Sequence, residues 1–478
     1  MKVSELLNSM EYEFLQGADC EVSGINYDSR NVAASDMFLC ISGYSVDGHD
    51  YANQAAENGA ICIVCERDIN LPSHVTIVKV ADTRRAMAVA AANLQGQPSK
   101  KMRIIGVTGT NGKTSTTYFL EAVLKAAGSK VGLIGTIENK IGDEAIPSTR
   151  TTPESADLQQ LFAKMHDAAV TDVAMEVSSH SLYLKRVDVV DFDIAIFTNL
   201  TQEHLDFHKT MENYRMAKMK LFEMAKRGVI NADDEYAKYF IEACEDAITV
   251  GIDNPCDYRA YDVEMTAYGV SFSLDIDGVP HRFELPVPGK FTVYNALGVI
   301  GASLLAGIDV KYIKEGLKNT NGVPGRIQNV RNDKGFAVIV DYAHSPDGLE
   351  NVISAVREFT PGRVITVFGC GGDRDATKRP IMGNVASKLS DYCVVTTDNP
   401  RTENPEAIID EIVAGIQDGR QYVRITDRRE AICYAIGRAN PEDSVIIAGK
   451  GHENYQEVHG IKHHFDDFEE AKAALDAN

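Results

Sequence analysis

Short apolar runs separated by polar turns fill the first hundred residues. MFLCIS, GAICIVC and VTIVKV read as buried strands, and the alanine-rich TRRAMAVAAANLQ reads as a helix. The polar segment GQPSKKM then breaks the pattern just before the strongly apolar RIIGVTG, which marks a domain boundary. From there to about residue 326, strands (DVAMEVSS, DIAIFTNL, GVIN) alternate with helical segments (TSTTYFLEAVLKAAG, ADLQQLFAKMHDAA). Alternation of that kind predicts βαβ units on a mainly parallel sheet. Residues 257–286 switch to period two, and Asp277-Gly278 within YGVSFSLDIDGVPHRFEL predicts a hairpin. After GVPGRIQNV a third alternating block runs through GFAVIVDYA, RVITVFGCGG, DYCVVTTDNP and SVIIAGKG. The pattern predicts an α/β protein of three domains in series, residues 1–98, 99–328 and 329–478, with no internal repeat or long linker.

The 478 residues are 44% hydrophobic and 24% charged, which suits folded domains rather than disorder. A net charge of −21 argues against nucleic acid or an anionic membrane surface as partner, since both need a basic footprint. It leaves room for a local basic pocket. No apolar run approaches the roughly 18–20 residues of a membrane span, and MKVSELLNSMEYEF lacks the apolar core of a signal peptide. A cytoplasmic location is expected. Nine cysteines make no disulfide framework at this length. Cys62 and Cys65 form a CxxC, but no second CxxC or flanking histidine pair completes a metal site, so they read as filling of a buried strand.

The first chemistry appears where RIIGVTG runs into GTNGKTSTT and a helix. Gly109 and Gly112 let backbone amides approach phosphate oxygens, Lys113 can reach the β- and γ-phosphates, and Thr114 can place a hydroxyl on Mg²⁺. The usual spacing wants a glycine five residues before Gly112, where Val107 stands; the glycines here are Gly106, Gly109 and Gly112. A guanine-reading Asn-Lys-x-Asp is missing, because Asn139-Lys140 is followed by Gly142 where Asp is required, so ATP is the expected nucleotide. Downstream, Glu176 ends a strand, the edge at which open α/β sheets bind ligands. His204, Asp206 and His208 follow another strand and are candidates for a divalent cation near a triphosphate.

These motifs belong to a longer ordered set: DSR at 28–30, GTNGKTS, TTPES, EVSSHSL, NLTQEHLDFH, YNALG, PGRIQ, DYAHSPDGL, FGCGGDRDATKRP, DNPR and GKGHENYQ. Over essentially its whole length the chain resembles the Mur ligase family, ATP-dependent enzymes that build the peptidoglycan stem peptide. Its ending, GGDRD…DNPR…GKGHE, is similar to that of the members that add the diamino acid; folylpolyglutamate synthases share the ATP core but not that ending. The resemblance implies an N-terminal UDP-substrate domain, a central phosphate-loop ATPase domain and a C-terminal Rossmann-like α/β domain that takes the amino acid. It implies that Gly109, Thr110, Asn111, Gly112, Lys113, Thr114 and Ser115 hold the ATP phosphates. Asn295, Arg326 and Asp341 match positions that hold adenine or ribose and brace domain closure. Glu176, His204 and Thr114 would be Mg²⁺ ligands, joined by Lys218 if it is carbamylated.

For the nucleotide-sugar substrate, UDP-N-acetylmuramoyl-L-alanyl-D-glutamate, the resemblance implies contacts from Tyr27 and Ser29 to uridine, with Tyr44–Val46 alongside. Thr151, Thr152, Ser178 and Arg186 match muramoyl-dipeptide positions. Arg150 stands where the family has Asn, and Leu184 where it has Gln. Arg374, the segment Asp398, Asn399, Pro400 and Arg401, Gly449 and Glu453 match a pocket for meso-diaminopimelate. The guanidinium of Arg401 is a planar fork suited to a second carboxylate, which diaminopimelate has and lysine lacks. The activity implied is amide-bond ligation through an acyl phosphate, by a monomer with ATP and Mg²⁺. The alternatives are the same ligase using L-lysine, or a nucleotide-binding homologue without catalysis.

Overall fold

A computed structural model of the protein describes residues 1–43 and 46–477. Two compact units emerge, one of residues 1–250 with 298–309, the other of residues 251–297 with 310–478.

The first unit contains two sheets. Tyr12–Gln16 (β1), Gly24–Asn26 (β2), Asp36–Leu39 (β3), Cys62–Cys65 (β4) and Thr76–Val80 (β5) pair in the order β1-β5-β4-β3-β2. Only β1 runs antiparallel to its neighbour. Period two along β4 sends Cys62 to one face of this sheet and Cys65 to the other, and each is fully buried in a separate apolar cluster. The two thiols therefore cannot act as a CxxC pair.

The second sheet is built on Arg103–Thr108 (β6), Val131–Ile134 (β7), Glu138–Ile141 (β8), Glu144–Pro147 (β9), Asp172–Glu176 (β10), Phe192–Phe197 (β11), Arg227–Asn231 (β12) and Ala247–Gly251 (β13). They follow the order β13-β12-β11-β6-β10-β7-β8-β9. The pairs from β13 to β7 are parallel, and β8 and β9 continue as an antiparallel edge. Central strand β6 is buried on both faces, which is why its sequence is a continuous apolar run without alternation. Connections lead outward from β6 to both sides, so its C-terminal end lies at a topological switch point, where such sheets bind ligands.

The other unit contains the short strand Tyr258–Arg259 (β14) and a three-stranded meander of Tyr261–Thr266 (β15), Gly269–Ile276 (β16) and Val279–Leu285 (β17). Asp277 and Gly278 both take positive φ (52° and 76°) between Ile276 and Val279, the geometry of a two-residue hairpin turn. Next come Gln328–Asn329 (β18), Ala337–Asp341 (β19), Val364–Phe368 (β20), Tyr392–Val395 (β21), Tyr422–Arg424 (β22) and Ser444–Ala448 (β23), in the order β18-β19-β23-β20-β21-β22. All but β18 run parallel, with apolar clusters on both faces. Tyr455–Val458 (β24) and Ile461–His464 (β25) make a last hairpin. The architecture is the expected three-domain α/β fold with mainly parallel sheets. Among the described residues no helix is long and apolar enough to cross a membrane.

Candidate active site

Strand β6 delivers the chain into the loop 109–112, and the helix Lys113–Ala126 leaves it with Gly112 at its N-cap. Two glycines are needed here for different reasons. Gly112 has φ 88°, a left-handed conformation that L side chains resist. At Gly109 (φ 151°) a Cβ would collide with Thr198 Oγ1 and lie 3.0 Å from the Asn199 carbonyl. Gly106 serves packing instead, since a Cβ there would meet the Phe192 ring at 2.8 Å. Val107 is a fully buried strand residue paired with Glu176, so the glycine missing from the usual spacing falls in the sheet rather than in the loop.

The loop is held from the end of β11. Thr110 N donates to Asn199 O (2.8 Å), Asn111 N to Asn199 Oδ1 (2.9 Å), and Thr198 Oγ1 to Asn111 O (2.6 Å). Lys113 curls back and donates to the carbonyls of Gly109 (2.9 Å) and Thr110 (2.8 Å). Thr114 and Ser115 follow, half-buried in the first helical turn, where free amides and the helix dipole favour an anion. By contrast, Asn139 and Lys140 lie on β8, and Lys140 is paired with Glu121 at 3.0 Å.

Glu176 is 1% exposed at the end of β10. Its carboxylate accepts from Thr136 N (2.8 Å) and Thr136 Oγ1 (3.1 Å), and among the described residues it has no ion pair. A buried carboxylate bonded only to neutral donors fits a divalent cation. Lys218, also 1% exposed, donates from Nζ to Gly109 O at 2.7 Å. Burial, aided by nearby Lys113, pushes its ammonium well below the usual lysine range. Among the described residues no three His, Cys, Asp or Glu side chains gather closely enough to enclose a metal. A Mg²⁺ here would take Glu176 and hydroxyl, water and phosphate oxygens, as that ion commonly does.

His204 and His208, four residues apart, have different surroundings. His204 is exposed and left-handed (φ 56°), its ring 4.8 Å from that of His180. His208 is 3% exposed with Nε2 on Ser179 Oγ at 2.9 Å, the setting of a structural histidine. Asp206 is exposed.

Thr151 and Thr152 follow β9. Thr151 Oγ1 lies 3.0 Å from Thr136 Oγ1, next to Glu176, while buried Thr152 donates to Glu176 O (2.9 Å). Ser178 caps the helix Ser179–Tyr183, and Thr152 Oγ1 accepts its amide at 3.2 Å. Arg186 donates to Thr152 O (3.1 Å) and pairs with Glu154 (2.8 Å), and its Nε is buried without a hydrogen-bond partner among the described residues. Arg150 (3.4 Å) and Arg84 (3.7 Å) face the same carboxylate, so three guanidinium groups surround Glu154. The departure at 150 thus adds to a positive patch. Leu184 is half-buried and makes the C-cap of the same helix.

On the N-terminal sheet, Tyr27 OH donates to Asp157 at 2.7 Å; burial, with that carboxylate, pushes its phenol above the usual range. Ser29 is buried beside Gln54. Val46 is exposed, and Tyr44 lies outside the described residues, as does Ser45.

The remaining candidates lie in the second unit. Asn295, 3% exposed in the helix Lys290–Leu305, has a buried Nδ2 with no partner among the described residues, an opening for a ligand acceptor. Asp341 ends β19 and accepts from Ile327 N and Ala343 N, each at 2.8 Å, which ties down the segment carrying Arg326. The Arg326 guanidinium sits 5.2 Å over the Tyr342 ring.

The amino-acid candidates gather at the C-terminal ends of parallel strands β21 and β23. Asn399 Nδ2 donates to Glu453 Oε2 (2.9 Å), and Gly449 (φ 125°) lets Asp398 Oδ2 come within 2.7 Å of where a Cβ would stand. Asp398 Oδ2 is buried without a hydrogen bond among the described residues. Pro400 is buried, and Arg401 (φ 51°) donates from Nη1 to Gly372 O (2.7 Å), with Nε 3.4 Å from Glu457. Arg374 is exposed in the loop after β20. Three participants escaped the sequence reading. Lys450 lies inside the quoted GKGHE motif and Glu154 inside TTPES, whereas nothing local distinguishes Arg84.

Comparison with known proteins gives the family. Residues 21–104 match the Mur ligase family catalytic domain, 107–303 the Mur ligase middle domain, and 325–451 the Mur ligase glutamate ligase domain. The chain belongs to the Mur ligase family. A UDP-N-acetylmuramoyl-L-alanyl-D-glutamate–2,6-diaminopimelate ligase of Clostridium botulinum is 50% identical, with 98% of each chain covered. The enzyme of the same name from Clostridioides difficile is 48% identical, with 99% of each covered. A solved structure of a ligase of that name superimposes with a TM-score of 0.77 at 33% identity, covering 100% of this chain and 99% of the other. A MurF ligase from Thermotoga maritima, solved in complex with ADP, shares the fold at 18% identity, with a TM-score of 0.59 and coverage of 95% and 98%.

Proposed function

We propose that the protein is a cytoplasmic, monomeric ligase that uses ATP to join meso-diaminopimelate to UDP-N-acetylmuramoyl-L-alanyl-D-glutamate in peptidoglycan precursor synthesis. Its domains are residues 1–98 for the UDP substrate, 99–328 for ATP and 329–478 for the amino acid. The observation that carries the ligase chemistry is the buried carboxylate of Glu176 and buried amine of Lys218 on the phosphate-loop side of one sheet. The full-length likeness to diaminopimelate ligases supports the choice of amino acid.

In this reading the D-glutamate γ-carboxylate attacks the ATP γ-phosphorus, giving an acyl phosphate and releasing ADP. The free amine of diaminopimelate then attacks the acyl carbon, and phosphate leaves. The first step is needed because a carboxylate is a poor electrophile. Amides of residues 109–115 and the Lys113 ammonium hold the phosphates and offset repulsion between the two reacting anions. Thr114, Glu176, His204 and a carbamate on Lys218 would hold Mg²⁺, which supplies further charge neutralisation there. The carbamate forms when the neutral amine of Lys218 adds to CO₂ and loses a proton, and burial favours that neutral amine. Asn295, Arg326 and Asp341 take the nucleoside side. Thr151, Thr152, Ser178 and Arg186 orient the muramoyl dipeptide, and Tyr27 and Ser29 its uridine. Arg374, Asp398–Arg401, Gly449 and Glu453 receive diaminopimelate.

The test is ADP release and product mass with ATP, Mg²⁺ and the UDP-muramoyl dipeptide, with meso-diaminopimelate, L-lysine or neither. The expected result is turnover with diaminopimelate and a tripeptide of the matching mass. Comparable turnover with lysine would reassign the amino acid, and no turnover with either would leave a nucleotide-binding homologue.

A further inference from the structure

In the cluster at the ends of β21 and β23, Lys450 is 0% exposed and donates from Nζ to Asn399 Oδ1 at 3.0 Å and to Glu453 Oε2 at 3.4 Å. Asn399 Oδ1 also accepts the amide of Glu457 at 2.9 Å. With two donors on its oxygen, the Asn399 amide has one permitted orientation, and its Nδ2 must face Glu453. Glu453 therefore receives Asn399 and Lys450 on the same oxygen, and Oε1 carries no hydrogen bond among the described residues. The carboxylate is fixed at one end and open at the other.

The surrounding charges favour a cation at the open end. Arg428, fully buried, is bidentate to buried Asp467 (2.7 Å to each oxygen), and it donates to the carbonyls of Thr397 (3.3 Å) and Ala448 (3.0 Å). Those carbonyls immediately precede Asp398 and Gly449. Within this group the carboxylates of Asp398, Glu453 and Asp467 act on the two cations Arg428 and Lys450, so acidic groups outnumber basic ones by one. That excess of carboxylate favours an incoming ammonium group.

We propose that Lys450 is a positioning residue for the diamino acid: it sets the Asn399 amide so that Glu453 presents a fixed, open oxygen to a substrate ammonium. The inference rests on the reading of this cluster as the diaminopimelate pocket. Lysine at this position need not touch substrate. Its effect passes mainly through Asn399, the shorter of its two contacts, which distinguishes it from a cation that merely stabilises the fold.

The test is steady-state kinetics of the full-length enzyme with Lys450→Met, Asn399→Ala and the double variant, varying each substrate in turn. Lys450→Met is expected to raise KM for meso-diaminopimelate more than tenfold and to leave KM for ATP and the UDP-muramoyl dipeptide within twofold. In the Asn399→Ala background the same change should raise the diaminopimelate KM less than twofold further, because its main route of action is gone and only the longer contact to Glu453 is left. Multiplicative effects in the double variant, or an equal rise in all three KM values, would overturn the assignment. Lys450→Gln serves if the methionine variant does not fold; loss of folding in both would make Lys450 a structural cation and end the proposal. Wild-type enzyme with no diaminopimelate-dependent ADP release would instead refute the underlying reading of the pocket.

Discussion

The Lys218 amine lies 2.7 Å from the carbonyl oxygen of Gly109, a contact between residues 109 positions apart in the chain. It joins the helix Met211–Met224 to the first residue of the phosphate loop. An amine fully removed from water is costly in its charged form, so the fold has placed a group that favours neutrality against the loop expected to receive the most highly charged substrate.

Replacing Lys218 with alanine should therefore inactivate ligation while leaving nucleotide binding measurable. If the working form is a carbamate, a short carboxylic acid added to Lys218→Ala should restore part of the turnover by supplying the missing anion. Turnover of the variant equal to wild type would return Lys218 to a packing role.

Lys113 makes a different prediction. Its ammonium holds two loop carbonyls, Gly109 O and Thr110 O, and is only half-buried, so its removal relaxes the loop without opening a core cavity. Lys113→Ala should lower kcat by roughly 10²–10³, the usual cost of losing one preorganised group at a developing charge. Its melting temperature should stay close to wild type, and turnover is read from ADP release.

What the sequence disclosed and what it hid have physical reasons. Gly109, Gly112 and Lys113 were legible because a phosphate loop is a local object: strand, turn and helix follow one another. The β16–β17 hairpin was legible because Asp277-Gly278 fixes its own backbone. Two of the groups around Glu154 and Asn399 were not. Arg84 meets Glu154 across 70 residues of chain, Lys450 meets Asn399 across 51, and no periodicity encodes such pairs. Gly106 resembled a loop glycine in sequence, yet the Phe192 ring beside it shows that its smallness serves helix and sheet packing. His204 and His208 sat in one motif, and only burial separated an exposed ring from a structural one.

The Arg428–Asp467 pair ties the last helix, Asp467–Ala477, to the strand ends that carry Asp398 and Gly449. Both side chains are 0% exposed, so removing one charge leaves the other buried and unpaired. Asp467→Asn should destabilise the protein by about 3–5 kcal/mol. The measurement is thermal unfolding at fixed pH; an unchanged melting temperature would contradict the buried pair.

Cys20 and Cys62 offer a pH-dependent readout at the N-terminal sheet. The influence of neighbouring Cys62 holds the Cys20 thiol down at about 6, while Cys20 and burial push Cys62 up. A lowered thiol is ionised above its own pKa, so at pH 7 Cys20 should be mainly thiolate and should alkylate readily with iodoacetamide. The rate should fall as pH drops through about 6, rather than near the ordinary value of about 8.5. Cys62→Ala should move the midpoint upward. Peptide mapping after timed alkylation decides it, and a midpoint above 8 in the wild type would refute this influence of Cys62 on Cys20.

The choice of amino acid turns on Arg401. Its backbone is left-handed at φ 51°, and its amide and carbonyl are bonded to Glu457 O (3.0 Å) and His459 N (2.7 Å), so the side chain is aimed by a fixed main chain. Nη1 is occupied by Gly372 O and Nε faces Glu457, while Nη2 makes no hydrogen bond or ion pair among the described residues. A distal carboxylate entering the pocket loses water, and charge-assisted hydrogen bonds of roughly 1.5–3 kcal/mol each must replace that loss. Lysine brings no carboxylate and would leave the guanidinium desolvated on one side. Sites built around a polar group commonly reject the analogue lacking it by a factor on the order of 10⁴. Wild-type kcat/KM should therefore favour meso-diaminopimelate over L-lysine by a factor of that order. Arg401→Ala should collapse the ratio by weakening diaminopimelate alone, with KM for ATP unchanged. Arg401→Lys should not restore it, because a point charge cannot reproduce a planar fork already anchored on Gly372 and Glu457. Comparable wild-type values for the two amino acids would place the discriminating group elsewhere in the pocket.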